Sequence, residues 1–112
     1  MAAGYENKLL FHLRQICTRP GMYAGTFEDF DMQHLHLFIS GYEQALYEAH
    51  QPSQIKEFDR WIYALNPQWQ EWGSTYWGTN ILRDCQGDMA KALHRIIDYI
   101  DRFLNENKEG VR

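Results

Sequence analysis

The chain has 112 residues, 45% of them hydrophobic and 15% aromatic, including four Trp, six Phe and seven Tyr; domains commonly run to about 100–150 residues, so this is one domain with ample side-chain area for a packed core. Fifteen acidic against eleven basic residues leave a net charge of −4, which argues against a nucleic-acid binder with its basic stripe and favours a partner with a basic face. No segment approaches the roughly 18 apolar residues needed to cross a bilayer, and the N-terminus has no basic region followed by an apolar run, so a cytoplasmic protein is expected.

Leu9, Leu10, Leu13, Ile16 and Cys17 recur at spacings of three and four, which predicts an amphipathic helix from about Tyr5 to Cys17. Pro20 and Gly21 stop it, and Arg19-Pro20-Gly21-Met22 reads as a tight turn. Phe27 and Phe30 in the following connector are expected to cover the end of the core. Asp31 is a good N-cap for a second helix to about His50, with Leu35, Phe38, Ile39, Tyr42, Leu46 and Ala49 on one apolar face. Gly41 in its middle costs up to about 1 kcal/mol relative to Ala, so close approach of a neighbouring group, or a slight bend at Ser40-Gly41, is expected there.

Pro52 closes that helix, and Ser53 can cap a third over Gln54 to Leu65, with Ile55, Phe58, Ile62 and Leu65 facing inward. Asn66-Pro67 ends it. From Pro67 to Gly87 the pattern is least regular; Tyr76 to Cys85 reads as a short helix led by Ser74 or Thr75, with a strand over Thr75 to Leu82 as the competitor. Asp88 caps the last helix, where Met89, Leu93, Ile96, Ile97, Ile100, Phe103 and Leu104 form a periodic stripe to about Asn105. The outward Lys91, Arg95, Asp98 and Arg102 suit a solvated face, with Asp98 and Arg102 spaced to pair. The expected fold is all-α: a single-domain bundle of four to five helices with an irregular Trp-rich segment before the last, spanning 1–112 and ordered over about residues 5–105, with frayed ends.

Cys17 and Cys85 lie far apart within apolar patterns, so buried free thiols are expected rather than a disulfide. Five histidines raise the question of a metal, but His34 and His36 point to different sides of a helix, His12, His50 and His94 lie elsewhere, and no zinc-type spacing exists. No nucleophile has a base at hand in sequence, and Glu43, Glu48, Asp98 and Asp101 fit solvated faces. No catalysis, cofactor or metal is therefore expected. An enzyme would require two of His12, His34, His50, Asp98 and Cys85 to meet within hydrogen-bond reach. Trp61, Trp69, Trp72 and Trp77 are either a plug over the bundle's end or a binding surface, with Trp61 and Trp77 inside and Trp69 and Trp72 more exposed.

Two resemblances bear on function. Arg19-Pro20-Gly21-Met22-Tyr23, then Gly25 and a helix, resembles the opening of the gyrase-type ATPase domain, whose next helix carries a general-base Glu and a Mg²⁺-binding Asn. Laying Gln44-Ala45-Leu46-Tyr47-Glu48-Ala49 on that family's Asn-Ala-Ile-Asp-Glu-Ala puts Ser40 at the base and Gln44 at the metal. A Ser without an activating partner cannot take a proton from water at neutral pH, and Gln is one methylene too long, so this resemblance stops at the turn.

The wider pattern resembles small helical immunity proteins of bacterial polymorphic toxin and contact-dependent growth-inhibition systems. It is carried by Arg19-Pro20-Gly21-Met22-Tyr23-Ala24-Gly25, by Phe38 with Gly41-Tyr42, by Phe58 with Trp61-Ile62, by Trp77 with Ile81-Leu82, and by the Asp-capped final helix, across residues 9 to 104. The resemblance implies stoichiometric inhibition of a cognate toxin domain, often a nuclease with a basic cleft. Composition and expected exposure, rather than any family motif, suggest the contacts: Glu28, Asp29, Asp31, Glu43 and Glu71 facing Lys or Arg, with Trp69, Trp72 and Tyr76 as desolvated anchors. The alternative is a helical scaffold or homodimer joined through the aromatic segment.

Overall fold

The computed structural model describes residues 8–20, 31–72 and 76–111. It contains five α-helices, α1 (Lys8–Thr18), α2 (Met32–Glu48), α3 (Ile55–Leu65), α4 (Trp77–Asp84) and α5 (Met89–Val111), with a 3-10 helix at Pro67–Trp72 between α3 and α4. No strand occurs among the described residues, so the segment open to a strand reading is helical where described, from Trp77 onward. Helix α5 is the spine. It packs against α1, α3 and α4, while α2 rests on α1 and α4.

The core follows the apolar periodicities. Leu9, Leu10, Leu13, Ile16 and Cys17 of α1 are all buried, and they meet Leu93, Ile96, Ile100 and Phe103 of α5 and Phe58, Ile62, Trp77 and Ile81 of α3 and α4 in one cluster. Each such aliphatic or aromatic side chain withdrawn from water contributes about 1.5–3 kcal/mol. Arg14 of α1 crosses to Asp101 of α5 in a two-pronged ion pair, Nε to Oδ1 at 2.7 Å and Nη2 to Oδ2 at 3.1 Å. Leu65 departs from its expected inward position and is exposed, because the chain turns out of α3 one residue later.

Local chemistry sets the helix ends. Asp31 caps α2: its Oδ1 accepts the His34 N–H at 3.2 Å, while its own N–H donates to His34 Nδ1 at 3.0 Å, a reciprocal capping box with His in the place of the usual Glu or Gln. α2 ends with His50 in the left-handed region (φ 58), its N–H donating to the Tyr47 carbonyl and that of Gln51 to the Leu46 carbonyl, the pattern of a Schellman cap. Ser53 Oγ accepts the Ile55 N–H at 3.3 Å and donates to Glu43 at 2.9 Å, so it serves the start of α3 from one position before the N-cap, Gln54. The same left-handed device at Gln86 (φ 57) ends α4, and Asp88 then receives the Lys91 N–H at 3.1 Å to start α5.

Two boundaries differ from the sequence reading. The N-cap of α4 is Tyr76, without a side-chain cap bond, and Ser74 and Thr75 lie outside the described residues. α5 runs to Val111 instead of ending near Asn105, since no Pro or Gly interrupts it before Gly110 and Glu106 accepts the Trp61 Nε1–H at 2.9 Å. Arg102 lies over the Trp61 ring at 5.6 Å, a cation–π contact in place of the spaced pairing with Asp98. The turn from Gly21 onward and Phe27 and Phe30 lie outside the described residues.

Candidate partner-binding surface

Charge is segregated along this chain. Residues 20–55 contain five carboxylates, Glu28, Asp29, Asp31, Glu43 and Glu48, and no Lys or Arg, whereas the remainder holds eleven basic against ten acidic residues. The whole net negative charge therefore belongs to the segment that carries α2. A concentrated field of one sign speeds and orients encounter with a partner of the other.

α2 is also the least covered helix. Its buried residues are Met32, Leu35 and Ile39, all in its first half. Of the face expected to be apolar, Phe38, Tyr42 and Leu46 are only half-buried and Ala49 is exposed. Leu37 is 59% exposed and Tyr47 77% exposed, and Phe11 on neighbouring α1 is 52% exposed. Aromatic rings join the two helices at this surface: Phe11 to His12 at 5.6 Å, His12 to Tyr42 at 6.1 Å, and Tyr42 to Phe38 at 5.8 Å.

The inner flank of α2 is held differently. The His36 ring meets Tyr76 edge-on at 4.7 Å, and Tyr76 lies at 4.9 Å from Trp77. A Cβ on Gly78 would collide with Tyr76 Cε2 and stand 2.7 Å from Met32 Sδ, so glycine is what lets the Tyr76 ring and α2 close on the start of α4. The Tyr76 hydroxyl is buried without a hydrogen-bond partner among the described residues. Burial, with Cys17 and Asp59 nearby, raises its pKa. Burial and the Glu43 carboxylate likewise raise that of Asp59.

The residues expected to touch a partner thus divide. Asp31 and Glu43 are on α2 or at its cap, Glu43 half-buried and bonded to Ser53. Glu71 is exposed on the 3-10 helix. Glu28 and Asp29 lie outside the described residues, as does the side chain of Trp72.

Trp69 is a correction. It is fully buried, not exposed, with its ring edge-on to Tyr63 at 5.3 Å and its Nε1–H donated to Asp84 Oδ2 at 3.0 Å. The 3-10 helix turns it inward, a turn fixed by Asn66, whose carbonyl accepts the Trp69 N–H at 3.0 Å and whose Nδ2 donates to the Ile62 carbonyl at 3.0 Å and Tyr99 at 3.2 Å. Tyr76, offered as an anchor, is half-buried with its polar end inside. Trp77 is buried and Trp61 half-buried.

No protein-family model, curated protein or solved structure matches this chain. The groups that an enzyme would need to bring together are spread out. His12 meets Phe11 edge-on and Tyr42 at a tilt, His34 closes the α2 cap, His50 ends α2, Cys85 is in the core and Asp98 is on the outer face of α5. Among the described residues no group of three or more His, Cys, Asp or Glu could hold a metal ion, and no helix is long and apolar enough to cross a membrane. Sequence reasoning missed Leu37, Tyr47 and Phe11 as surface residues. The absence of Lys and Arg between Pro20 and Ile55 was the signal that could have pointed to them.

Proposed function

We propose that this protein is a stoichiometric inhibitor of the bacterial immunity type, acting in the cytoplasm of the producing cell by capping a cognate toxin domain. The observation that supports this best is the poorly covered α2 within the acidic segment, a helix on which Leu37 and Tyr47 are exposed and which carries no Lys or Arg. Exposed aromatic and aliphatic anchors within a field of one sign suit a macromolecular partner of the opposite sign. A nuclease domain, whose cleft must attract phosphates, supplies such a surface. Inhibition then needs no chemistry from this chain, only occlusion of the cleft. Self-association through the same surface would set like charges against each other.

The test is calorimetry with the C-terminal domain of whatever large protein is encoded upstream of this gene, at low and at moderate salt. Tight 1:1 binding that weakens with salt, together with loss of toxin activity in the complex, is the expected result. An absence of binding at both salt concentrations overturns the reading. Tyr47→Ala is expected to weaken binding by about tenfold or more, as for an interface anchor, without lowering thermal stability.

A further inference from the structure

We infer that the cap of α2 is a proton-operated latch, in which the His34 imidazole holds the Asp31 backbone N–H when neutral and passes to the Asp31 carboxylate when protonated. The switch belongs to the isolated chain, whatever the protein binds. In a reciprocal capping box the partner of the N-cap N–H is ordinarily a Glu or Gln, which keeps an acceptor oxygen in either protonation state. Here His34 Nδ1 takes that place, accepting the Asp31 N–H at 3.0 Å, while Asp31 Oδ1 accepts the His34 N–H at 3.2 Å. A backbone N–H can only donate, so Nδ1 is bare and the proton of the neutral ring sits on Nε2. The first of these two bonds therefore exists only while the ring is neutral.

A second acceptor stands ready for the proton. Asp31 Oδ1 lies 3.0 Å from the same Nδ1, so a proton added there is donated to the carboxylate as a charge-assisted bond without the ring leaving its place. The Asp31 N–H then faces another N–H and loses its partner, whereas the His34 N–H keeps Oδ1. One half of the box opens and the other stays closed. Both side chains are exposed, so the proton comes directly from water. The groups that reach α2 from its neighbours turn to other residues: His12 of α1 to Tyr42, Tyr76 at the start of α4 to His36, and Ser53, ahead of α3, to Glu43, whose carboxylate acts on Asp59. The His34 ring itself faces the Asp31 carboxylate. Histidine as a side chain changes charge between about pH 5 and pH 8, a range in which Gln at the same position would change nothing.

Nitrogen-15 NMR of the full chain at about pH 8 and about pH 5, on either side of the histidine range, tests the latch through the imidazole nitrogens and the exchange of single backbone amides with water. At the higher pH the His34 ring should carry its proton on Nε2, with Nδ1 bare, and the Asp31 amide should be protected. At the lower pH both nitrogens should be protonated, and protection of the Asp31 amide, corrected for the intrinsic effect of pH, should fall by about tenfold, the scale of one hydrogen bond. Protection of the His34 amide should persist through the change. His34→Gln supplies the ordinary partner of a capping box, so its Asp31 amide should stay protected at both pH values. A ring proton on Nδ1 at the higher pH overturns the latch, as does an Asp31 amide whose protection does not change. Loss of protection at Asp31 and His34 together, or an equal loss at Asp31 in His34→Gln, overturns it as well, since the acid would then act on the helix or on another group.

Discussion

Cys17 lies on the buried face of α1. Burial pushes its thiol up to about 12 from an ordinary 9.0, so the native protein carries a thiol where a reactive cysteine would carry a thiolate. Between those two values the unfolded chain releases the proton and the folded one keeps it. Stability is therefore lost as the pH rises above 9. Urea midpoints near pH 8, 9 and 10 should fall steadily in the wild type and stay flatter in Cys17→Ala, and thiol reagents should label neither cysteine until the protein is unfolded. Asp59 behaves in the same sense at lower pH. Burial and Glu43 raise its carboxyl from the ordinary 3.8, so native Asp59 holds a proton that the unfolded chain has already lost. Stability is gained as the pH falls from neutral through that raised value, and the gain is complete below the unfolded-state value. Asp59→Asn should raise the urea midpoint near pH 7 and flatten its rise toward pH 5. The burial of Cys17 was legible from its place in the apolar pattern of α1, but the raised Asp59 carboxyl was not, since Glu43 reaches it only when α2 and α3 are folded.

The helices show which local signals travel in sequence. Asp31 and Asp88 announced the starts of α2 and α5, because a short acidic side chain at that position has a definite job, and Ser53 announced α3 for the same reason. The ends were quieter. His50 and Gln86 take the left-handed conformation that favours glycine, and nothing in a histidine or glutamine advertises it. The 3-10 helix at Pro67–Trp72 was equally silent, since its inward turn depends on Asn66 bridging α3 to Tyr99 of α5. A left-handed conformation costs an L-residue roughly 1–2 kcal/mol. His50 has an exposed side chain, so His50→Gly removes that strain and loses little contact. The substitution should stabilise the protein by about 1 kcal/mol after the greater freedom of glycine in the unfolded chain is set against the gain. A higher Tm with unchanged helical circular dichroism is the expected result; a lower one would mean that the imidazole makes a contact worth more than the strain.

At the scale of the whole molecule, the fold was legible and the candidate surface only partly so. Apolar periodicity identifies a helical face, but it does not say whether another helix arrives to cover that face, and α2 is the case where cover runs out. Trp69 makes the reverse point, since aromatic richness alone could not separate a plug from an anchor. Its indole N–H meets the Asp84 carboxylate, and its ring abuts Tyr63, whose hydroxyl accepts the Asn80 Nδ2–H at 3.1 Å. The 3-10 helix, α3 and α4 are thus joined around one buried ring. Trp69→Phe shrinks that ring and leaves Asp84 without its charge-assisted partner, and the lost volume and hydrogen bond together should cost about 2–4 kcal/mol. Asp84→Asn keeps an acceptor for the indole and should cost less than about 1.5 kcal/mol. Because both act through one bond, the double variant should be destabilised by less than the sum of the two. Denaturant titrations of the four proteins measure this. If Trp69 were instead a partner anchor, Trp69→Phe would leave stability untouched and lower only affinity, so the same four proteins, assayed for binding, distinguish a buried brace from a contact surface.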